Sequence, residues 1–182
     1  MNFPPLPASI EAALAERGYA SATQVQAEVM QAQAAGRDLV VSAQTGSGKT
    51  IAFGLAMAQE LLADSDTIPF AESPLALIIA PTRELALQVS RELAWLYGKA
   101  GGRIATCVGG MNPQQERKAL RSGATIVVGT PGRLRDHLER GALDLSALKA
   151  VVLDEADEML DMGFREELEE ILDATPESRR TL

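Results

Sequence analysis

Two short stretches of the chain carry residue types whose chemistry is narrow. The first is Ala43-Gln-Thr-Gly-Ser-Gly-Lys-Thr50, the pattern of a Walker A phosphate loop with Ala43 in the place of the usual first glycine. Gly46 and Gly48 can take backbone conformations that turn successive N–H groups inward around phosphate oxygens. A helix starting at Lys49 would add its positive N-terminal end. The Lys49 ammonium would then reach the outer phosphates, and the Thr50 hydroxyl would offer an oxygen to Mg²⁺. Gln44, Thr45 and Ser47 complete the loop. A glycine turn that merely connects strand to helix does not require Lys-Thr directly after the second glycine. The second stretch, Ala150-Val-Val-Leu-Asp-Glu-Ala-Asp157, runs from an apolar strand straight into carboxylates. A carboxylate at a buried strand end is costly unless a cation answers it. Mg²⁺ held by Asp154, with Thr50 opposite and partly through water, would do so. Glu155 would then orient and deprotonate an attacking water. Alone, such a cluster can be only the acid-rich start of a helix; together, the two stretches point to nucleotide phosphate chemistry.

Residues like these need a scaffold that delivers them to one place, and the rest of the chain spells one out. Apolar runs at Leu39–Ser42, Leu75–Ala80, Ile104–Val108, Thr125–Gly129 and Ala150–Asp154 are nearly continuous rather than alternating, as expected of parallel strands buried on both faces. Helical patterns lie between them. Ile51–Leu62 follows the phosphate loop. Arg83–Tyr97 places Leu85, Val89, Leu93 and Leu96 on one stripe, with Trp95 outside it. Phe164–Leu172 places Phe164, Leu168, Ile171 and Leu172 on one face, with Glu166, Glu167, Glu169 and Glu170 largely on a solvated one. The alternation predicts an α/β fold with a mostly parallel central sheet and helices on both faces. In such sheets ligands bind at the carboxyl ends of the strands.

The bulk numbers fit one globular domain: 182 residues, 46% hydrophobic and 4% aromatic, with no run long enough to span a membrane. With no signal-peptide layout at its start, the chain reads as cytoplasmic. A net charge of −8 argues against a module that grips nucleic acid by a broad basic surface. Cys107 is the single cysteine and reads as a small core residue. His137 is the single histidine and, within the polar stretch Arg135–Arg140, reads as a solvated side chain.

The letters Asp154-Glu155-Ala156-Asp157 are those that name the DEAD-box ATP-dependent RNA helicases, and further stretches resemble that family's motifs in its order. Ala80-Pro-Thr-Arg-Glu-Leu-Ala86 resembles motif Ia, Gly109-Gly110 the GG motif, Thr130-Pro-Gly-Arg133 motif Ib, and Gly18–Gln26 the Q motif. The likeness covers essentially the whole chain and has a bacterial look. It implies a RecA-like P-loop fold for the N-terminal ATP-binding domain, with residues 1–35 as a Q-motif region and 36–182 as the core. ATP or ADP with Mg²⁺ is the implied cofactor. Gln26, helped by Thr23, is implied to read the adenine edge, with Tyr19 nearby and Phe3 stacking on the base. Ala22 stands where the family usually has proline, and Phe3 lies closer to Gln26 than the family's spacing. Pro81, Thr82, Arg83, Gly109, Gly110, Thr130, Pro131, Gly132 and Arg133 are implied to hold the RNA sugar–phosphate backbone without reading sequence. Each Pro-bearing loop follows a strand and opens a helix, so backbone N–H groups and a helix dipole are available to a phosphate. Arg83 can alternatively pair with an acid inside the fold.

The sequence ends at Ser178-Arg-Arg-Thr-Leu182, where the family continues into a strand, a Ser-Ala-Thr motif normally engaged by Asp157, and a second RecA-like domain with an arginine finger. Such a finger is worth ~10³–10⁵ in rate. The resemblance therefore implies that this chain binds adenine nucleotide and, weakly, RNA, with negligible turnover of its own. An exposed sheet edge is expected. Two alternatives stay open at this point: a nucleotide-gated RNA clamp and a DNA-directed relative of the same superfamily.

Overall fold

The computed structural model describes residues 1–31 and 34–182. The 1–35 segment therefore includes two positions, Ala32 and Gln33, that lie outside the described residues. The strands are β1 (Ala76–Ile79), β2 (Ile104–Cys107), β3 (Ile126–Gly129), β4 (Ala150–Leu153) and β5 (Arg180–Thr181). They pair in parallel in the order β2-β3-β1-β4-β5, with Ile78 of β1 opposite Val128 on one side and Val152 on the other. The helices are α1 (Ala8–Glu16), α2 (Gln24–Val29), α3 (Lys49–Ala56), α4 (Ala58–Leu62), α5 (Arg83–Gly98), α6 (Pro113–Arg121), α7 (Pro131–Glu139), α8 (Ala156–Asp161) and α9 (Arg165–Asp173).

Successive residues of the strands feed two separate cores, as the pleat requires. Ala76, Ile78, Ile126, Val128, Ala150 and Val152 face a cluster built with α1, α3, α4 and α5. Leu77, Ile79, Val127 and Val151 face a second cluster built with residues of α6 to α9. The expected sandwich of helices on both faces is thus formed, and the sheet is wholly parallel. The α5 stripe behaves as its spacing predicts: Val89, Leu93 and Leu96 are fully buried, while Leu85 is half-buried. Trp95 is partly covered, lying 5.6 Å from Tyr19, with the Arg17 guanidinium 5.1 Å above its ring.

Three expectations need correction. Leu39–Ser42 is not a sheet strand. Leu39 N–H donates to the Thr181 carbonyl at 3.0 Å and Thr181 N–H to the Asp38 carboxylate at 2.8 Å. With β5 only two residues long, nothing continues the ladder, and Val40 is fully exposed. The helix expected over Ile51–Leu62 is broken at Met57 into α3 and α4. His137 is not solvated but fully buried: Pro131, Leu134 and His137 recur at helical spacing on the inner stripe of α7. The glutamates of α9 are also less uniform than expected. Glu166 and Glu169 are exposed, whereas Glu167 is half-buried and 3.5 Å from Arg135 on α7.

A buried arginine ties the entry to the phosphate loop into this frame. Arg180 of β5 is 5% exposed and donates to the carbonyls of Ala34, Arg37 and Ala56, the last at the break between α3 and α4. It also pairs with Glu60 at 3.1 Å. Loop carbonyls near the break, which have no helical partners, are satisfied by this one side chain.

Candidate nucleotide site and the loops beside it

The phosphate loop leaves residue 42 and enters α3 through two left-handed glycines, Gly46 and Gly48, both at φ 81°. Gly48 is the glycine of this loop where a side chain would be both strained and crowded. A Cβ there would lie 2.5 Å from the Gln26 amide nitrogen, in a backbone conformation that side chains disfavour. Gln26 is held by its own helix start. Thr23 and Gln26 sit at N-cap and N3 of α2 and form a reciprocal capping box, with Thr23 N–H donating to Gln26 Oε1 at 3.0 Å. The other end of the amide donates to the Gly48 carbonyl at 3.2 Å. Gln26 is fully buried by these contacts. In the arrangement described, the amide braces the phosphate loop from behind.

Lys49, at the first turn of α3, reaches across to the carboxyl end of β4. Its Nζ donates to Glu155 Oε1 at 2.6 Å and lies 3.8 Å from Asp154 Oδ1. Burial works against the Lys49 charge, but the Glu155 hydrogen bond and the fields of Asp154, Glu155 and Asp157 outweigh it and hold the ammonium above the usual lysine range. Asp154 is 4% exposed, and that burial lifts its carboxyl above the ordinary aspartate range, with Lys49 pulling it back down. Glu155 has φ 54° and ψ 51°, one of two non-glycine residues with positive φ among those described. Such a conformation costs on the order of 1–3 kcal/mol and points to a functional constraint. A cavity of about 440 Å³ opens here, lined by Ala43, Lys49, Asp154, Glu155 and Asp157 among others.

The residues suit a phosphate and a divalent cation. Ser47 Oγ, within the loop, is buried without a hydrogen-bond partner among the described residues. Asp154 is a buried carboxylate whose only ion pair among the described residues is a lysine 3.8 Å away. Thr50 lies one residue after Lys49 in the first turn of α3. Gln44, Thr45 and Gly46 are exposed on the outer side of the loop. Phe3 and Tyr19 are not brought to the cavity: both are half-buried against the core on the α1–α5 side, and Tyr19 packs on Trp95. Neither stacks over the loop in this arrangement, because the α1 region is drawn onto the core by Ile10 and Leu14.

The remaining expected site residues meet at a second place. Pro81, Arg83, Gly109, Thr130, Gly132 and Arg133 line one open hollow of about 440 Å³ at the ends of β1, β2 and β3. Thr82 caps α5 through a bond from Leu85 N–H, and Pro131 is buried at the first turn of α7. Both arginines line the hollow, and the alternative left open for Arg83, pairing with an acid inside the fold, is taken by Arg133 instead. Arg83 is exposed and has no carboxylate partner among the described residues; a Cβ on Gly110 would lie 2.7 Å from its Nη1, so it lies over the glycine loop. Arg133 is the one paired inside the fold, 3.1 Å from Glu116.

Glu116 was not singled out by its sequence. It is buried on α6, a helix the sequence reading did not single out, although Asn112 at its cap and Pro113 in its first turn were available signals. With Cys107 and His137 it offers three ligand atoms within 4.8 Å of one another. That set does not suit a metal ion: the guanidinium already holds the carboxylate, and burial pushes the Cys107 thiol up to about 12, away from the thiolate.

A wholly parallel sheet with a phosphate loop before its first sheet strand and an acidic strand end beside it defines a RecA-like nucleotide-binding domain. The chain belongs to the DEAD/DEAH box helicase family, whose model matches residues 23–182. It is 43% identical over 177 residues to the DEAD-box ATP-dependent RNA helicase CshA of Streptococcus pneumoniae, and 46% identical over 177 residues to the ATP-dependent RNA helicase DeaD of Escherichia coli. These matches cover 97% of this chain but 33% and 27% of the two relatives, so the chain spans about a third of their length or less. A crystal structure of a DEAD box protein from Methanococcus jannaschii superposes with a TM-score of 0.87 at 38% identity, over 100% of this chain and 49% of that one. Among the described residues no helix is long and apolar enough to cross a membrane.

Proposed function

We propose that the chain is the N-terminal ATP-binding domain of an ATP-dependent RNA helicase, binding adenine nucleotide at the Gly46–Thr50 loop. The observation that supports this reading is the convergence on one cavity of Lys49 with Asp154 and Glu155, which lie 105 and 106 residues further along the chain. In this reading the phosphates of ATP or ADP replace the carboxylates as partners of Lys49. Mg²⁺ held through Thr50 and Asp154, partly by water, would neutralise phosphate charge. Glu155, freed from Lys49, would take a proton from the attacking water, and Asp157 would couple the site to neighbouring motifs. Thr23 and Gln26 are proposed to read adenine through a shift of α2, with Tyr19 and Phe3 approaching the base only in such a rearranged state.

The hollow at the ends of β1 to β3 is proposed as the RNA face, taking a sugar–phosphate backbone without base sequence. Arg83 and the N-terminal ends of α5 and α7 are the local positive features that make this compatible with a net charge of −8. Turnover is proposed to need the second RecA-like domain, so that this chain alone hydrolyses ATP negligibly. The cytoplasm is the proposed compartment.

Calorimetric titration with Mg-ADP and Mg-GDP tests the nucleotide reading. Saturable ADP binding with little GDP binding is expected. Equal affinities would leave the phosphate loop standing and remove adenine reading from the Thr23–Gln26 region. Binding of neither, by folded protein, would overturn the assignment of the site.

A further inference from the structure

One buried carboxylate holds the residue before the Gly109-Gly110 loop directly and the residue after it through Arg133. Glu116 Oε2 accepts the N–H of Val108, directly before the loop, at 3.0 Å. Glu116 Oε1 accepts from Arg133 Nη1 at 3.1 Å and from His137 Nε2 at 2.8 Å. The same Arg133 nitrogen donates to the carbonyl of Met111, directly after the loop, at 3.3 Å. The Glu116 side chain is 4% exposed and that of Arg133 is 15% exposed. A carboxylate that deep is tolerated only with its lone pairs filled, and here three donors fill them. Two of the three come from different RNA-facing stretches, one from the end of β2 and one from the first turn of α7. The other guanidinium donors of Arg133 have no protein partner among the described residues, and Arg133 lines the same hollow as Arg83 and Thr130.

We propose that Glu116 is a positioning residue for RNA binding: it fixes the Gly109-Gly110 loop and holds Arg133 by one nitrogen, leaving the outer donors of Arg133 for a phosphate of the RNA backbone. This rests on the reading of the hollow as the RNA face. Arg133 is then both a strut and a phosphate contact, and Glu116 acts on RNA only through it and the loop. His137 fills the remaining approach to Oε1, which accounts for a buried histidine in a helix whose other faces are charged.

The test is anisotropy with a short fluorescein-labelled oligouridylate at several salt concentrations, on Glu116→Ala, Arg133→Ala and the double variant. Mg-ADP affinity of each variant is followed by calorimetry. Each single variant is expected to weaken RNA binding about tenfold and to lower the slope of log affinity against log salt by about 0.7, the share of one phosphate on a single strand. The double variant should be no weaker than either single one, because the two residues act as one unit. ADP affinity should be unchanged in all three. Glu116→Gln keeps one acceptor oxygen where Val108 and Arg133 use two, so it should lose RNA affinity, though less than Glu116→Ala. Wild-type affinity in Glu116→Ala, or losses that add in the double variant, would overturn the proposal. Should Glu116→Ala fail to fold, Arg133→Lys decides: lysine keeps a charge for phosphate but cannot span Glu116, the Met111 carbonyl and a ligand. A loss of about tenfold is expected there too, and undiminished RNA binding overturns the proposal. A wild-type chain that binds ADP but no RNA would sink the RNA face itself and this inference with it, an outcome distinct from variants that merely match the wild type.

Discussion

Removing the charge of Glu155 should make the chain bind ADP more tightly. Without ligand, Lys49 donates to Glu155 at 2.6 Å, and a phosphate must compete with that carboxylate for the same ammonium. The two side chains are 25% and 36% exposed, so solvent screens the pair and it falls nearer exposed ion pairs than buried ones. A charge-assisted hydrogen bond of that kind is worth about 1 kcal/mol after screening, and Asp154 at 3.8 Å keeps part of the hold on Lys49 in the variant. Glu155→Gln should therefore bind ADP roughly three- to fivefold more tightly than the wild type, a difference of about 1 kcal/mol or slightly less. The titration is run in a chelator, so that no divalent ion contributes, and at low and high salt. The gain should shrink as salt rises, because the competing pair is itself screened. Lys49→Ala serves as control and should abolish binding. Unchanged or weaker ADP binding by Glu155→Gln would show that phosphate joins Lys49 without displacing the carboxylate, and the competition argument would be refuted.

Three further outcomes follow from the same geometry. At position 155 the usual order of residues should invert: with φ at 54°, Glu155→Gly should be more stable to urea than Glu155→Ala by about 1 kcal/mol, and the opposite order would mean the left-handed backbone is not retained. Burial raises the Asp154 carboxyl above its ordinary range, so the folded state takes up a proton that the unfolded chain does not hold, and this group lowers stability above the unfolded value near 3.9. Asp154→Asn should accordingly raise the melting temperature near neutral pH, with the gain vanishing as pH falls below about 4; a variant no more stable at neutral pH contradicts the burial argument. Arg180→Ala removes the guanidinium donor from the carbonyls of Ala34, Arg37 and Ala56 and from the Glu60 carboxylate, and should cost about 3–5 kcal/mol in denaturant unfolding. A loss under about 1 kcal/mol would show that water replaces the guanidinium there.

What the sequence made legible was whatever a local pattern encodes. The strand runs gave β1 to β4 within a residue or two of their ends, and both chemical stretches emerged at strand ends as the parallel sheet demands. The misses turn either on a partner distant in sequence or on a helical stripe judged by the charge of its neighbours. Leu39–Ser42 has a strand's composition, but a strand exists only with a neighbour, and β5 offers two residues. The capping box that occupies the Gln26 amide in this arrangement was signalled by Thr23 three residues earlier. His137 was judged by its charged neighbours, whereas Leu134 and Pro131 at helical spacing mark its stripe as the inner one. Glu116 could have been suspected from Leu120 four residues on, which places it on the buried face of α6, but its three donors lie 8 to 21 residues away.

Both of the chain's candidate phosphate sites hold a cation against a carboxylate before any ligand arrives, and their burial separates what happens next. At Lys49 the carboxylate belongs to Glu155, whose side chain is 36% exposed, so water and ligand can reach it and exchange it for phosphate. At Arg133 the carboxylate belongs to Glu116, whose side chain is 4% exposed and bonded three ways, so a phosphate cannot displace it without stranding a buried charge. The first pair is built to open: on the proposed reading its release gives Lys49 to the nucleotide and leaves Glu155 free to act on water. The second is built to stay closed and to present the rest of a guanidinium at a fixed height above the Gly109-Gly110 loop. On the proposed reading, this difference explains how an acidic chain would hold two polyanions: one carboxylate would leave its cation when phosphate arrives, and the other is neutralised inside the fold.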